Sequence, residues 1–437
     1  MESIQKDSRF TIKSFVKDAS FGGILLIFVA IIGMVWANSR FYDSYHNLWH
    51  NVEFGLSLGS WELKSSLHHW INDGLMALFF FTIGLEIKRE VLAGELSSVK
   101  KATMPIVAAI GGMLVPALIY AAINYNNPQN ITGWGIPMAT DIAFALGIMS
   151  LLGDKVPLNL KVFLTALAIA DDLGAILIIA IFYTDAINVA ELINAAIFFG
   201  VLVIANWIGI RKTAFYAIVG LLGVWMSFVF SGVHATIAGV LIAFTIPVKA
   251  KVSEQSYIEM ASSYIEKFSK KQSNDSPLLT NEQSHIVSKL NKLTEEAQPP
   301  LQKLEHALHP VAIYLILPLF ALANAGVHIE GDFMDMVMHP VSIGIVAGLV
   351  LGKFLGIAIF SKLVVALKWS KLPEGVSWGH IYGVGFLAGI GFTMSIFISD
   401  LAFESEELAK VAKVGIFIAS FLAAVTGYFF LKYSKSK

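Results

Sequence analysis

The chain has no cysteine among its 437 residues. That single absence excludes disulfides, thiolate metal centres and thiol nucleophiles together. Charge is scarce as well: Asp, Glu, Lys and Arg make up 14% of the sequence and nearly cancel, leaving a formal net charge of -1. The few basic clusters flank apolar runs and form no patch of the kind a nucleic-acid partner needs, so none is expected. What is abundant is apolar. Hydrophobic residues are 56% of the chain and the mean hydropathy is +0.68, well above an ordinary soluble domain. This is the composition of a polytopic, all-α membrane protein.

Runs long enough to cross about 30 Å of hydrocarbon at about 1.5 Å per residue fall at Phe21 to Ala37, Trp70 to Ile87, Ala102 to Ile123, Gly133 to Leu152, Leu160 to Tyr183, Leu192 to Ile210, Ala214 to Phe230, Val233 to Ile246, Leu308 to Val327, Val341 to Leu367, Ile381 to Ile398 and Val411 to Leu431. They predict about twelve transmembrane helices. Val233 to Ile246 is the weakest, being short and parted from its predecessor only by Ser231-Gly232. The loops supply an independent test, because cytoplasmic loops carry the Lys and Arg. Lys88, Arg89, Lys100 and Lys101 follow the second span, Lys155 the fourth, Arg211 and Lys212 the sixth, Lys249 and Lys251 the eighth, Lys368 and Lys371 the tenth, and Lys432 and Lys435 the last. The alternate loops at 124–132, 184–191 and 328–339 contain no Lys or Arg. Both termini are therefore expected in the cytoplasm. The polar leader 1–20 is read as a retained cytoplasmic segment, since Val35-Trp36-Ala37 lacks the small-x-small pattern of a cleaved signal peptide.

Two stretches are expected outside the membrane. Residues 51–67 alternate apolar and polar side chains around Gly59-Ser60, which predicts an outer β-hairpin. A lone hairpin is marginal in water, so a partner chain could complete it. Residues 250–301 are rich in Lys, Glu, Ser, Gln and Asn, end in Pro299-Pro300, and read as a cytoplasmic linker with a helical stretch from Ser256 to Phe268. The organisation is then 1–20 cytoplasmic, 21–249 carrying eight spans and the hairpin, 250–301 the linker, and 302–437 four spans and a short tail.

Chemistry must come from the polar residues inside the spans. Asp171 and Asp172 sit side by side in the apolar run from Val162 to Tyr183. A charge at the centre of a membrane helix costs roughly 2.5 to 3.5 kcal/mol on insertion scales, so the pair points to ion or proton handling. In the fourth span Pro137 and Asp141 interrupt the apolar pattern, and in the eleventh Gly383, Gly385, Gly389 and Gly391 crowd the middle, with Thr393 and Ser395 just after. Two interrupted spans in corresponding positions of two halves predict a transporter with inverted repeats and two broken helices, here spans three to five and ten to twelve. Broken helices leave half-charges facing one another at mid-membrane. Asp141 is suited to offset the N-terminal ones and Lys353, in the middle of the tenth span, the C-terminal ones; direct ion or proton transfer is the alternative role for both. Small-residue stripes, Ala166, Ala170 and Gly174 on the fifth span and Gly348, Gly352 and Gly356 on the tenth, allow close helix approach. If they face each other, Asp171 and Lys353 can pair.

These residues resemble the NhaA-type sodium/proton antiporter family. The matching strings are Phe79-Phe80-Phe81-Thr82-Ile83-Gly84-Leu85-Glu86-Ile87-Lys88-Arg89-Glu90, Ala139-Thr140-Asp141-Ile142-Ala143-Phe144, Ala168-Ile169-Ala170-Asp171-Asp172-Leu173-Gly174, Ser231-Gly232-Val233-His234-Ala235-Thr236, Leu304-Glu305-His306-Ala307-Leu308-His309-Pro310, Gly352-Lys353 and Gly389-Ile390-Gly391-Phe392-Thr393-Met394-Ser395. They cover nearly the whole chain. The inverted-repeat pattern is itself known from this family, so it adds to the resemblance rather than standing apart from it. The resemblance implies a twelve-helix electrogenic antiporter of the bacterial inner membrane, with no cofactor. In it Asp171 and Asp172 bind the transported Na+ or Li+ and carry protons, Thr140 and Asp141 lie at the crossing of the broken helices, and Lys353 balances that crossing. It also implies pH sensing by Glu86, Arg89, Glu90, Glu305, His306 and His309, and a homodimer joined through the hairpin. The long 250–301 linker departs from the family pattern.

Three rival classes are weaker. A membrane enzyme is disfavoured because neither the Tyr-Asp and Gly-x-Gly-Asp pair of intramembrane aspartyl proteases at membrane depth nor a His-Glu-x-x-His is present. A channel would show a ring or filter rather than one acid pair beside broken helices. Proton-coupled transport of another small solute would need a larger cavity with organic recognition groups.

Overall fold

The structure is a computed structural model describing residues 10–58, 61–184, 187–271, 278–329 and 332–434, with the backbone alone described at 10–20, 56–58, 61–63 and 154. Helix α1 spans Phe10–Ala37, so residues 10–20 of the polar leader belong to the first helix. Two antiparallel strands follow, β1 (Glu53–Leu58) and β2 (Trp61–Ser66), paired Glu53 with Ser66 through Leu58 with Trp61. The expected hairpin is therefore present, while its Gly59-Ser60 turn lies outside the described residues. It is fastened to the next helix, α2 (Leu67–Ala93), where Ser66 caps the backbone N–H of His69 and the Trp70 indole donates to the Phe54 carbonyl at 2.6 Å.

The remaining helices are α3 (Val99–Asn124), the bent pair α4 (Pro128–Met138) and α5 (Ile142–Ser150), α6 (Leu158–Phe182), α7 (Val189–Trp207), α8 (Thr213–Ser231), α9 (Ala235–Thr245), α10 (Glu254–Ser269), α11 (Asn281–Ala297), α12 (Pro300–Asn324), α13 (Pro340–Ala366), the bent pair α14 (Trp378–Leu387) and α15 (Phe392–Ala402), and α16 (Glu406–Tyr433). Among the described residues eight helices are long and apolar enough to cross a membrane, or up to ten if each bent pair is one span. The apolar helices Phe21–Ala37 and Ala235–Thr245 are shorter. They coincide with the first and eighth expected spans. α9 is short because the chain turns at Gly232, whose φ of +80° is costly for any residue with a Cβ. Its far end is closed by Lys88, which donates to the carbonyls of Phe244 and Ile246.

Three expectations need correction. The small-residue stripes do not face each other. A Cβ on Gly356 would lie 2.1 Å from the Gly111 carbonyl oxygen, one on Gly352 would lie 2.7 Å from the Pro116 Cα, and one on Gly174 would meet Met113. Both stripes pack on α3, which brings α6 and α13 to one site without their touching along the stripes. Second, 250–301 holds more helix than expected: the stretch foreseen at Ser256 to Phe268 is present as α10, and a further helix, α11, packs on it. Lys251 pairs with Glu296 at 2.7 Å, holding the Glu296 carboxyl below its usual range, and Ala261 and Leu293 are buried between them. A capping box of Thr280 with Gln283 starts α11, a sequence signal that the polar composition masked. Third, Pro299-Pro300 opens a helix rather than closing a linker. Proline at the first helical position has no N–H to leave unsatisfied, so α12 begins at Pro300 and places Glu305 in its second turn.

Candidate functional site

The two interruptions are stitched to each other. Each pair bends by 46°. Between them, extended residues 139–141 and the break after Leu387 exchange backbone and side-chain bonds: Asp141 N–H donates to the Ile390 carbonyl at 2.7 Å, and Thr140 Oγ1 donates to the Ala388 carbonyl at 2.8 Å. Ser395 Oγ donates to the Ile136 carbonyl at 2.8 Å. These are the carbonyls that broken helices leave without partners in a medium that offers no water. Asp141 serves both N-termini. Its Oδ1 accepts from Phe144 N–H at 2.9 Å, capping α5, and its Oδ2 accepts from Thr393 N–H at 3.2 Å and Thr393 Oγ1 at 2.5 Å, at the start of α15. Asp141 thus caps the starts of both half-helices.

Lys353 does something else. Its side chain is fully buried, its stem passes Gly112 of α3, and its ammonium forms an ion pair with Asp171 and donates to Thr140 Oγ1 at 3.0 Å. The pairing of Lys353 with Asp171 that the sequence offered is present as geometry. Thr140 Oγ1 also donates to Asp171 Oδ2 at 2.7 Å. A hydroxyl has one proton. It can serve the Ala388 carbonyl or the Asp171 carboxylate, and the choice depends on what else that carboxylate holds.

Asp171 and Asp172 are 1% and 2% exposed, yet each keeps one carboxylate oxygen, Oδ1, without a donor among the described residues. Buried acceptors are normally satisfied, so two such oxygens on adjacent acids are an unusual feature of this site. Asp172 faces a cavity of ≈ 40 Å³ that it shares with Thr140, Asp141, Thr393, Glu86 and His309. That is room for about three water molecules.

The six residues expected to sense pH divide. Glu86 and His309 line the cavity. Arg89 lies at the end of α2 and bridges two elements, pairing with Glu90 at 3.0 Å and with Glu305 of α12 at 3.0 Å. Glu90 also accepts from the Glu95 N–H at 2.9 Å. His306 is exposed. On the hairpin side a second cavity is lined by His68, Asn72, Asp73, His234 and Asp400. Phe397 borders it, in ring contact with Phe80 at 5.4 Å and Phe320 at 6.3 Å. All three rings are buried. Asp400 pairs there with Lys413 at 2.8 Å. Lys413, near the start of the last apolar run, is a charge of the same kind as Lys353.

Interrupted helices crossing beside buried carboxylates are the arrangement of a multi-pass membrane transport protein. The particular family follows from comparison: the description Na+/H+ antiporter 1 matches residues 13–431, and the chain belongs to that family. It is 50% identical over 419 residues to the Na(+)/H(+) antiporter NhaA of Oleidesulfovibrio alaskensis, covering 96% of this chain and 92% of the relative. It is 48% identical over 412 residues to Na(+)/H(+) antiporter NhaA 1 of Psychromonas ingrahamii, covering 94% and 93%. With the Na(+)/H(+) antiporter NhaA of Wolinella succinogenes it shares 48% over 419 residues, covering 96% and 92%.

Proposed function

We propose that this protein exports Na+ or Li+ from the bacterial cytoplasm in exchange for protons, by alternating access around Asp171 and Asp172. The observation that carries the reading is the pair of open, buried carboxylate oxygens at the crossing of two broken helices. Carboxylates, a threonine hydroxyl and backbone carbonyls are hard oxygen donors of the kind a small alkali cation takes. The cavity of ≈ 40 Å³ favours such an ion over an organic solute, whose pockets run to about 300–1,000 Å³. On this reading the shorter apolar helices complete twelve spans with both termini cytoplasmic, the two bent pairs belong to inverted repeats, and the hairpin joins a homodimer by its open strand edges.

Cation and proton compete for the same oxygens. When the cation arrives, Asp172 must be ionised and Asp171 must turn from Lys353 toward the ion; on the return, protons replace it. If Asp171 stays with Lys353, the second proton is carried by Lys353 and the net charge moved is the same. More than one proton therefore moves per sodium, and an inside-negative potential, worth roughly 2.3 kcal/mol per charge per 100 mV, drives sodium outward. Proteoliposomes under a proton gradient should show fluorescence dequenching on addition of sodium or lithium but not potassium. With the voltage clamped by potassium and valinomycin, the steady-state sodium gradient should follow the imposed potential. A gradient indifferent to voltage means one-for-one exchange and removes the two-carboxylate mechanism.

The second prediction concerns the Arg89 cluster, which joins α2 to α12 beside the site cavity. Glu305 is buried and ion-paired to Arg89, and with Glu86 and Glu90 it makes three carboxylates around that guanidinium. Removing one negative charge from such a group favours ionisation of those left. Glu305→Gln is accordingly expected to move the pH–rate profile toward acid while leaving the rate at the optimum intact. Loss of sodium binding at every pH would instead place Glu305 in the substrate site.

A further inference from the structure

The face of α5 turned away from the ion site borders a second space. Ala143 and Leu146 line the cavity at Asp172, whereas Phe144 and Ile148 line a groove of ≈ 460 Å³ between α1, α5 and α16. Its floor is Ala30, Phe392 and Ala424, all buried, and its rim is Ile31, Leu151 and Phe421, which are 56%, 55% and 68% exposed. The groove therefore opens sideways, between apolar helices. In a membrane the medium on that side is hydrocarbon, and the polar groups of the lining are only Ser420 and, at one end, the Tyr428 hydroxyl, too few to hold water along it. Ser420 is already engaged, accepting from the Phe392 N–H at 3.2 Å.

One end of the groove is charged. It finishes at Tyr428 and Phe429, and the Lys432 ammonium lies 5.8 and 5.9 Å from the centres of those two rings. A lysine that lays its stem along aromatic rings while keeping its head at the membrane surface is placed to meet a phosphate. We propose that this groove is a binding site for one anionic phospholipid, an acyl chain lying between α1, α5 and α16 and the headgroup phosphate resting on Lys432. The volume is that of a small-molecule site, about 300–1,000 Å³, and the charge stands where the leaflet meets the C-terminal end of α16. The chain would pack against Phe144 and Phe392, whose rings are 5.6 Å apart. Their backbone N–H groups bond Asp141 and Ser420. The lipid thus backs both half-helix starts from the side opposite the ion.

The test is photolabelling of the purified, delipidated full chain in neutral detergent with phosphatidylglycerol bearing a diazirine in the middle of one acyl chain. Label should concentrate on peptides of α1 around Met34 and of α16 around Phe421. Unlabelled phosphatidylglycerol should displace it better than phosphatidylcholine by roughly fivefold, the effect of one lysine at an anionic headgroup. Ala424→Phe fills the floor and should lose most of that label; Ala30→Leu, from the opposite wall, should do the same and covers the case in which the first variant misfolds. Lys432→Gln should keep the label but lose the headgroup preference. Label spread evenly over the membrane-facing helices, or unchanged by both filling variants, would overturn the site. So would a change of oligomeric mass in those variants, which would give the face to a second copy of the chain.

Discussion

Replacing Asp172 by asparagine is expected to end exchange completely while leaving the protein as stable as before, or more so. The carboxylate is buried, its Oδ1 has no donor, and it faces the site cavity. An amide at this position keeps the shape, but loses the charge that would hold a cation and the group that would take up a proton. An unpartnered buried carboxylate is costly to fold around, so its removal should not lower the melting temperature in detergent. That combination separates a binding role from a structural one. A residue kept for packing or for a hydrogen-bond network would cost stability when changed, whereas a residue kept for the ion should cost only function. The measurements are sodium-dependent proton release in proteoliposomes across the working pH range, sodium titration by calorimetry, and thermal unfolding of the same preparations. Near-normal exchange or sodium binding by Asp172→Asn would remove Asp172 from the site.

The sequence spoke clearly where the membrane imposes the rule. An acid, a lysine or a proline at mid-membrane is expensive enough to need a reason, and Asp141, Asp171, Asp172 and Lys353 all lie at one place in the fold. The glycine-rich and proline-containing interruptions were legible for the same cause. What could not be read was how the partners meet. The sequence offered Lys353 both the helix-end carbonyls and Asp171, and the packing of α13 and α6 on α3 brings it to Asp171. A stripe of small residues says that some backbone comes close without saying whose. Outside the membrane the rule weakens. Polar composition hid α11, because amphipathic spacing over a short, soluble helix is a fainter signal than a long apolar run, and only the Thr280 and Gln283 cap marks its start. Lys413 is the reverse case, a charge inside the last apolar run whose partner, Asp400, lies just past the eleventh.

The ion pair of Asp171 and Lys353 supports the second large effect. Both side chains are fully buried, and each answers the other's charge while Thr140 Oγ1 contacts both. Removing one member of such a pair leaves an uncompensated charge in low dielectric and typically costs about 3 to 5 kcal/mol. Removing both leaves no charge to compensate, and much of that cost is absent. Lys353→Ala should therefore lower the melting temperature in detergent markedly, Asp171→Asn should lower it less because Lys353 can shed its proton, and Lys353→Ala placed on Asp171→Asn should add little. The coupling in this double-mutant cycle is the quantity that matters, since distant, independent sites add to within about 0.3–0.5 kcal/mol. Sodium supplies a further arm. If the ion takes Asp171 from Lys353, saturating sodium should raise the melting temperature of Lys353→Ala more than that of the parent, because it fills the vacancy that the lost ammonium leaves. Additive losses in the cycle, with no extra protection by sodium, would mean that the two side chains lie close without depending on each other, and the exchange of partners at Asp171 would have to be given up.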